Sequence, residues 1–398
     1  MGGRAATGGA RQLRILAVVR APTSKPLAPL PRDRIAFFMP SLFAGGAERV
    51  MVNIARGFTE QGFLVDVVLA KATGHYLASL PPAVRVIDLH ARRVVGSVPG
   101  LVRYLRRERP SVLVASLSHA NVVALWARAL ARVRTRAFIT EHNIALWDLP
   151  SAPGEGSHLI PHLAAAFYPW ADGVIAVSRG VARDIARRTK TAPDRIHVIY
   201  NPVVTTEVLE GARARLDHPW FAPGAPPVVL SAGRLTWEKS YACLIRAFAI
   251  VRQRQHARLM ILGEGPERPH LEALIRELHL DADVQLPGFV DNPYAFMARA
   301  AVFALSSTSE GLPTALIEAL ATGTPVVSTD CPNGPREILQ DGRLGRLVPV
   351  GDAAALAGGV TAVLDEPRPP ISPEAWQSFA VDTVVDQYRS ALQVAPDA

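Results

Sequence analysis

Cysteine is scarce in the 398-residue sequence, which contains only Cys243 and Cys331. The two lie far apart in different motifs and cannot form a disulfide framework or a cysteine metal site, so we expect two reduced thiols in a cytosolic protein. Long apolar runs are also missing, since none reaches the roughly 18 residues that span a bilayer. The apolar segment 15–19 is too short for the core of a signal peptide. We therefore expect the protein to stay inside the cell.

The net charge of +8 is concentrated at the amino terminus. Residues 1–33 contain six basic residues and one acidic residue, a net charge of +5, so the rest of the chain carries only +3. The high isoelectric point therefore does not predict a nucleic-acid-binding body. We expect residues 1–33 to form a disordered basic leader, which is either simply solvated or weakly attracted to anionic lipid.

Short apolar strands alternate with helices along the rest of the chain. This pattern predicts βαβ units and parallel sheets that are covered on both faces. The predicted strands are residues 34–39, 64–69, 84–88, 112–115, 136–140, 173–177, 196–199, 228–232, 258–262, 284–286, 302–305 and 325–329.

The alternation stops at residues 201–227, an irregular stretch with several prolines, and then starts again. We therefore predict four parts: the leader 1–33, an acceptor-side Rossmann-like domain 34–205, a second Rossmann-like domain 206–370 that binds nucleotide, and a tail 371–398. An amphipathic helix is predicted at 373–392, within this last part.

The strongest functional motif is SSTSEGLPTALIEALAT at 306–322. It places a Ser/Thr-rich loop after a strand, and Pro313 predicts the first residue of the next helix. The free backbone N–H groups at such a helix start form an anion site that suits a diphosphate. Glu318 would lie roughly 7–8 Å further along the helix, a suitable distance for a ribose diol, although the residue alone would also suit an ordinary helix surface.

A second motif, SAGRLTWEKS at 231–240, places Arg234 and Lys239 after the strand that opens the second half. Two cations at the carboxyl edge of a parallel sheet suit a phosphate, although they could also be solvated loop charges.

Other segments carry weaker signals. LGEGPE at 262–267 is better explained as a tight strand-to-helix connection, and His142 in TEHN at 140–143 could be structural. In SLFAGGAERV at 41–50, Gly45 and Gly46 let the backbone approach a ligand closely at a helix start, but the segment lacks the GxGxxG of a nicotinamide site. The DxD formed by Asp281 and Asp283 lies in a turn, and we do not interpret it as a metal site.

Seven segments occur in the order found in family 4 of the retaining glycosyltransferases: GGAERV, TEHN, GRLTWEK, GEGP, LPGFVDNP, SSTSEGLPTALIEALATGTPVVSTD and PNGPREIL. The sequence resembles that family over roughly residues 34–392, and the spacing of Glu310 and Glu318 matches its E-x7-E signature. The resemblance implies the α/β fold named GT-B, in which two doubly wound domains face each other across a cleft. It also implies a C-terminal helix that returns to the first domain.

The resemblance implies a catalytic set of Glu310, His142, Arg234 and Lys239. Arg234 and Lys239 would hold the donor diphosphate. Glu310 would contact the transferred sugar, and His142 would reach the sugar or the acceptor side. Glu318 would bind the ribose.

The remaining implied contacts with the donor come mostly from the backbone. Amides of Gly311, Leu312 and Thr314 would support the phosphates and the sugar, and Gly46 would approach the diphosphate from the opposite domain. The base would stack near residues 288–290, which include Val290. Two positions depart from the family. Ser240 replaces a usual glycine, and PNGPR at 332–336 replaces a Gly-Gly pair whose sugar contacts therefore do not transfer.

The resemblance also implies an activity: transfer of a hexosyl group, with retention, from a nucleoside-diphosphate sugar to an acceptor hydroxyl. UDP-sugars are preferred by family frequency, and GDP-sugars remain possible. The acceptor would be a glycan or a lipid-linked saccharide in the synthesis of a cell-surface polysaccharide. We expect no metal and no cofactor, because Arg234 and Lys239 can stabilise the leaving diphosphate.

Two alternatives remain open, a sugar-nucleotide epimerase of the same fold and a non-catalytic sugar-nucleotide-binding protein. A nicotinamide oxidoreductase is poorly supported. Six arginines among apolar residues at 92–109 could rest on the anionic inner face of the plasma membrane, or could form a solvated basic surface.

Overall fold

The structure is a computed structural model, and it describes residues 34–43, 45–143, 159–366 and 370–395. The predicted leader 1–33 lies outside the described residues. So does most of the loop that follows His142.

The first sheet contains seven parallel strands in the order β3-β2-β1-β4-β5-β6-β7. These strands are β1 (Arg34–Met39), β2 (Leu64–Leu69), β3 (Arg85–Asp88), β4 (Val112–Ser116), β5 (Arg136–Glu141), β6 (Gly173–Ala176) and β7 (Ile196–Val198).

The second sheet contains six parallel strands in the order β10-β9-β8-β11-β12-β13. These strands are β8 (Val228–Ala232), β9 (Arg258–Leu262), β10 (Val284–Gly288), β11 (Val302–Leu305), β12 (Val326–Thr329) and β13 (Arg346–Val348).

Thirteen α-helices connect and cover the two sheets in the described part of the chain. They are α1 (Gly46–Glu60), α2 (Val98–Glu108), α3 (Ser118–Ala131), α4 (Leu159–Phe167), α5 (Arg179–Thr189), α6 (Thr206–Arg213), α7 (Tyr241–Arg254), α8 (Arg268–Glu277), α9 (Pro293–Arg299), α10 (Thr314–Ala321), α11 (Pro335–Ile338), α12 (Ala353–Asp365) and α13 (Val381–Leu392).

Alternating side chains along each strand bury the two faces of the sheets in different clusters. In β1, Ala36 and Phe38 belong to a core cluster that runs through both sheets. Ile35 and Phe37 point the other way, into a cluster shared with α1 and α13. A third cluster fills the space between the second sheet and helices α7, α8 and α12. Both faces of each sheet are thus covered, as the sequence predicts.

Helix α13 follows the second sheet but packs against the first. Val384, Val385, Tyr388 and Leu392 are all almost fully buried in the cluster that contains Phe37. The predicted return of a C-terminal helix to the first domain is therefore confirmed.

Several predicted boundaries were wrong. The stretch 201–227 is not irregular throughout, because it contains α6, which Thr205 caps through its side chain. The predicted helix 373–392 is two short 3-10 turns followed by α13. Strand β13 was missed, since it is only three residues long and only Val348 is buried. None of the described helices is both long enough and apolar enough to cross a bilayer.

The order of the strands creates a switch point in each sheet. Chain connections run in opposite directions from β1 and β4 in the first sheet, and from β8 and β11 in the second. Ligands of open α/β sheets bind in the crevice outside the carboxyl ends of the strands at such a point. The fold therefore predicts that ligands bind at the loops that follow these four strands.

Candidate active site

Lys239 and Glu310 meet at the switch point of the second sheet. Lys239 ends a short 3-10 turn after β8, and Glu310 lies in the loop after the neighbouring strand β11. Lys239 Nζ lies 2.6 Å from Glu310 Oε1, which also accepts a hydrogen bond of 2.7 Å from Ser307 Oγ. Ser306 Oγ donates a hydrogen bond of 2.8 Å to the backbone carbonyl of Lys239. The two loops are therefore joined through the side chain of Lys239 and also through its backbone.

Glu310 is buried, with only 8% of its surface exposed. A buried carboxylate needs a countercharge and hydrogen-bond donors, and Lys239 and Ser307 supply both. The structure thus brings together two residues of the predicted catalytic set.

Arg234 lies on the same edge of the second sheet, in the loop after β8, and its side chain is exposed. Its positive charge acts on Glu48, in the first turn of α1. Burial raises the pKa of the Glu48 carboxyl, and Arg234 partly offsets that rise. The first turn of α1 therefore lies within electrostatic range of Arg234, a residue predicted to bind the diphosphate.

Glu318 lies in the middle of α10, and its side chain is only 6% exposed. Its carboxylate is bound by Arg49, whose Nη1 lies 2.8 Å from Glu318 Oε1. Arg49 comes from α1, in the first half of the chain, so this ion pair joins the two Rossmann-like halves. Glu318, which is predicted to bind the ribose, is therefore not an unpaired acid on the surface of the helix.

Helix α10 begins one residue later than predicted. Pro313 is the N-cap residue, with extended backbone angles, and Thr314 is the first helical residue. The Leu312 side chain is buried in the central core cluster. Gly311 lies so close to the first half that a Cβ atom there would come within 1.5 Å of the His142 carbonyl oxygen.

His142 follows β5, and Ser116 ends the neighbouring strand β4. Ser116 Oγ lies 2.9 Å from His142 Nε2. Burial lowers the pKa of the His142 imidazole to about 4, so the ring is neutral at pH 7. His142 can therefore exchange hydrogen bonds with a sugar or an acceptor, but it does not contribute a cation.

The preceding residue, Glu141, points into the protein and not into the crevice. Its carboxyl is almost completely buried and accepts hydrogen bonds from Tyr168, Asn121 and Ser118. Burial raises the pKa of this carboxyl to about 7, and the three hydrogen bonds oppose that rise. Glu141 and its partners hold the end of β5 against α3 and against the short 3-10 turn that follows α4, which fixes the backbone of His142.

The predicted glycine contacts fall into two groups. A Cβ atom at Gly46 would meet nothing within 4 Å, so this helix start is open to a ligand. In the GEGP turn, by contrast, a Cβ atom at Gly263 would come within 2.0 Å of the Gly233 carbonyl oxygen, and one at Gly265 within 2.4 Å of the Leu235 carbonyl oxygen. Those glycines allow two loops to touch through their backbones, which agrees with a tight structural connection.

The segment predicted to lie beside the base has one half-buried and one exposed apolar side chain. Val290 packs partly against the central core cluster, whereas the neighbouring Phe289 is 66% exposed. The Gly288 backbone carbonyl accepts a hydrogen bond of 2.7 Å from the Gly263 amide. Phe289 is therefore more accessible than Val290, and its aromatic ring offers a surface on which a planar ligand can stack.

The PNGPREIL segment joins the two halves at a further point. The Glu337 carboxylate accepts hydrogen bonds from the Arg179 amide, at 3.0 Å, and from the Tyr200 hydroxyl, at 2.7 Å. Arg179 begins α5, so the carboxylate lies at the positive end of that helix dipole. Asn333 also binds Asp184 of α5, at 3.1 Å. This departure from the family pattern forms a contact between domains.

Sequence reasoning missed Arg49, Tyr294, Ser307 and Ser116. Arg49 carried one usable signal: it is a cation in the first turn of a helix, where the dipole disfavours positive charge, so it needs a carboxylate partner. The other three carried none, because a serine or tyrosine in a motif does not reveal which side chain it faces.

Metal ligands are not grouped in the described part of the chain, where no three His, Cys, Asp or Glu side chains lie together in a suitable arrangement. Asp283 of the rejected DxD is paired with Arg252 at 2.8 Å.

Two protein families match this chain side by side. Residues 44–207 match the family described as "Glycosyltransferase Family 4", and residues 213–380 match the family described as "Glycosyl transferases group 1". Together they cover both Rossmann-like halves.

Two sequence relatives span most of the chain. The Campylobacter jejuni protein named N-acetylgalactosamine-N,N'-diacetylbacillosaminyl-diphospho-undecaprenol 4-alpha-N-acetylgalactosaminyltransferase is 31% identical over 348 residues, which are 84% of this chain and 91% of that protein. The lipopolysaccharide core biosynthesis glycosyltransferase LpsE of Rhizobium meliloti is 28% identical over 324 residues, which are 80% and 86% of the two chains.

Among solved structures, Anabaena Alr3699/HepE in complex with UDP superimposes with a TM-score of 0.73. The two sequences are 23% identical, and the match covers 90% of this chain and 99% of the other. The likeness extends over both sheets and confirms the predicted GT-B fold.

Proposed function

We propose a donor, an acceptor and a reaction course for this chain, which belongs to glycosyltransferase family 4. The enzyme is a glycosyltransferase. The proposal is that it moves a hexosyl group from a UDP-sugar to a hydroxyl of a glycan or lipid-linked saccharide, with retention and without a metal ion.

One observation carries the donor site: the predicted ligands lie at the switch point of the second sheet. Lys239, Glu310 and Arg234 follow the neighbouring strands β8 and β11, and Glu318 lies in the helix after β11. Lys239 and Glu310 are within 2.6 Å. A diphosphate between Arg234 and Lys239 would extend toward Glu318 at one end and Glu310 at the other.

The choice of UDP is supported by the neighbour of known structure, which was solved with UDP and with UDP-glucose. The proposed acceptor class is supported by the two sequence relatives, one named for a diphospho-undecaprenol saccharide and the other for lipopolysaccharide core synthesis. We extend both properties to this chain.

In the proposed reaction, the bond between the anomeric carbon and the diphosphate breaks, and the acceptor oxygen forms a bond to that carbon on the same face. The acceptor proton passes to the departing diphosphate, on which negative charge develops. Arg234 and Lys239 stabilise that charge, aided by the amides of Gly311, Leu312 and Thr314. These groups take the place that a divalent cation has in other transferases. Glu310 contacts the transferred sugar, and neutral His142 donates or accepts a hydrogen bond on the acceptor side.

A donor screen tests the proposal. The purified chain is incubated with UDP-sugars and GDP-sugars in the presence of EDTA, and release of the nucleoside diphosphate is followed. We expect one UDP-sugar to be turned over by the native sequence and not by Lys239→Ala or Glu318→Ala. Glu277→Ala, an exposed carboxylate at the end of α8, is the matched control and should retain full activity.

The stereochemical course is tested separately, once a donor and acceptor pair is known. The anomeric configuration of the new linkage is read by proton NMR, and retention is expected. Inversion, or conversion of the donor sugar without an acceptor, would contradict the proposed transfer with retention, and the second result would favour the epimerase alternative. Loss of turnover in EDTA that magnesium restores would contradict metal independence.

We also propose that the surface around α2 rests on an anionic membrane. Arg92, Arg93, Arg103 and Arg107 are exposed there. Val95 and Leu130 are each more than half exposed beside them. Arginines around exposed apolar side chains suit a surface of anionic headgroups over acyl chains.

Sedimentation with vesicles tests this surface. We expect binding to vesicles that contain phosphatidylglycerol and little binding to phosphatidylcholine alone. The double variant Arg103→Glu and Arg107→Glu should lose binding. Arg254→Glu with Arg276→Glu, on exposed positions of the second half, makes the same charge change elsewhere and should retain it. Equal loss in both double variants would show that only net charge matters.

A further inference from the structure

Arg49 is a cation at a position where its charge is disfavoured. It lies in the first turn of α1, at the positive end of the helix dipole, and only 27% of its side chain is exposed. Burial acts to lower the pKa of this guanidinium, but the Glu318 carboxylate and the acidic groups around it together outweigh burial and raise the pKa above its usual range. The positive charge of Arg49 is therefore compensated by its partners.

The guanidinium of Arg49 connects two elements of the second half. Its Nη1 donates to Glu318 Oε1 at 2.8 Å, and its Nη2 donates to the Tyr294 hydroxyl of α9. The Tyr294 ring also lies beneath the guanidinium, 5.6 Å from Cζ to the ring centroid. Tyr294 and Glu318 are both about 5% exposed. The guanidinium is thus fixed by geometry as well as by charge.

This arrangement divides the two oxygens of the Glu318 carboxylate. Oε1 receives the Arg49 hydrogen bond, and no hydrogen bond to Oε2 is found among the described residues. A carboxylate offers about four lone-pair sites, so Oε2 can still accept hydrogen bonds from a diol. Because Arg49 fixes one oxygen, the direction in which the other points is fixed too.

We propose that Arg49 is a positioning residue for the donor: it orients Glu318 from the opposite domain, so that ribose recognition depends on contact between the two domains. The inference rests on the proposed function, which assigns Glu318 to the ribose. It adds a residue of the first domain to the recognition of a group bound by the second. Removing Arg49 leaves a buried carboxylate without its counterion and free to rotate.

Binding of two nucleotides tests the inference by titration calorimetry on the full chain. The probes are UDP and 2′,3′-dideoxy-UDP, which lacks both ribose hydroxyls. We expect the native chain to bind UDP about tenfold more tightly than the dideoxy analogue. Arg49→Met should bind UDP about tenfold more weakly than the native chain and should no longer distinguish the two nucleotides.

Two further variants separate positioning from folding. Tyr294→Phe removes one partner of Arg49 and leaves the Glu318 pair, so an intermediate loss is expected. Arg49→Lys keeps the charge and should restore part of the discrimination. In turnover assays, Arg49→Met should raise the KM for the donor more than it lowers kcat. A merely structural contact would reduce the folded fraction and would leave the preference for ribose hydroxyls unchanged.

If Arg49→Met binds UDP as tightly as the native chain, or more tightly, the inference is wrong. Arg49 would then compete with the ribose for Glu318. Glu318→Gln separates this failure from failure of the proposed function. If Glu318→Gln loses the preference for ribose hydroxyls and Arg49→Met keeps it, only the role of Arg49 is wrong. If the native chain binds neither nucleotide, the proposed UDP donor and the role of Arg49 are both wrong.

Discussion

At the scale of single residues, Ser240 departs from the family pattern at a position with an unusual backbone conformation. Its backbone is left-handed, with φ at 51° and ψ at 40°, and its side chain makes no capping hydrogen bond to α7. A glycine, usual in the family here, adopts that conformation without a Cβ clash. The turn that carries Lys239 is therefore locally strained in this chain.

We predict that Ser240→Gly stabilises the protein by about 1 kcal/mol, because the left-handed strain is larger than the entropy that a glycine adds. Urea unfolding measures the change. Ser390→Gly is the matched control, since Ser390 lies within helix α13 and the same substitution there should destabilise by about 1 kcal/mol. A loss of stability in Ser240→Gly would show that the serine hydroxyl has a partner worth more than the strain.

Glu141 and His142 are adjacent, and their pKa values are shifted in opposite directions. The unfolded His142 binds a proton below about 6.5 while the folded residue does so only below about 4, so its contribution to stability falls as the pH drops through that range. The unfolded Glu141 loses its proton near 4.5 and the folded residue near 7, so its contribution falls as the pH rises through that range.

We predict that Glu141→Gln removes the second dependence. The variant should gain stability relative to the native chain as the pH rises from 4.5 to 7, by at most about 3 kcal/mol. Denaturant unfolding of both chains at a series of pH values measures the difference. A constant difference across that range would mean that Glu141 titrates normally in the folded chain.

At the scale of secondary-structure elements, the contact between α1 and α13 depends on a glycine. A Cβ atom at Gly57 would lie 2.5 Å from Val385 Cγ2. Glycine usually weakens a helix interior, so its presence here is explained by the close approach of α13.

We predict that Gly57→Ala lowers stability by about 1–3 kcal/mol, although the same change usually stabilises a helix. Val385→Ala should also destabilise alone, because it leaves a cavity. In the double variant the new methyl group fills part of that cavity, so the combined loss should be smaller than the sum of the single losses. Strict additivity in thermal unfolding would contradict the predicted contact.

The strands were largely predictable at this scale, and the ends of the elements less so. Buried strands such as β1 and β9 read as apolar runs, and their predicted bounds agree with the structure. Strand β13 has one buried residue in three, so it carries no periodic signal. Pro313 was read as the first residue of α10 because proline is frequent there, yet its extended backbone makes it the cap.

At the scale of the whole molecule, the two halves meet at several points around the crevice. Arg49 binds Glu318, Glu337 binds the Arg179 amide, and the Gly311 backbone lies close to the His142 carbonyl. The sequence predicts several of the residues that line the crevice, since they follow strands, but it missed Arg49. It does not predict these pairings, because the hydrogen-bonded partners are separated by 269 residues in one pair and by 158 in the other.

We predict that Gly311→Ala prevents the two halves from closing, because its methyl group would lie 1.5 Å from a backbone oxygen that cannot move independently. Turnover should fall at least about a hundredfold, and small-angle scattering should show a larger radius of gyration. Gly358→Ala in α12, where a Cβ atom meets nothing within 4 Å, is the control and should change neither quantity. A compact, fully active Gly311→Ala protein would contradict the observed proximity.

The position of α13 has a consequence for synthesis of the chain. The first sheet and α1 leave the ribosome early, but the cluster beneath Phe37 is completed by Tyr388 and Leu392, which are translated after the whole second sheet. The first half is therefore translated first, but its core is completed last. Until α13 packs, the first half exposes an apolar face. Nascent chains halted before residue 381 should be bound by chaperones, and release should coincide with emergence of α13.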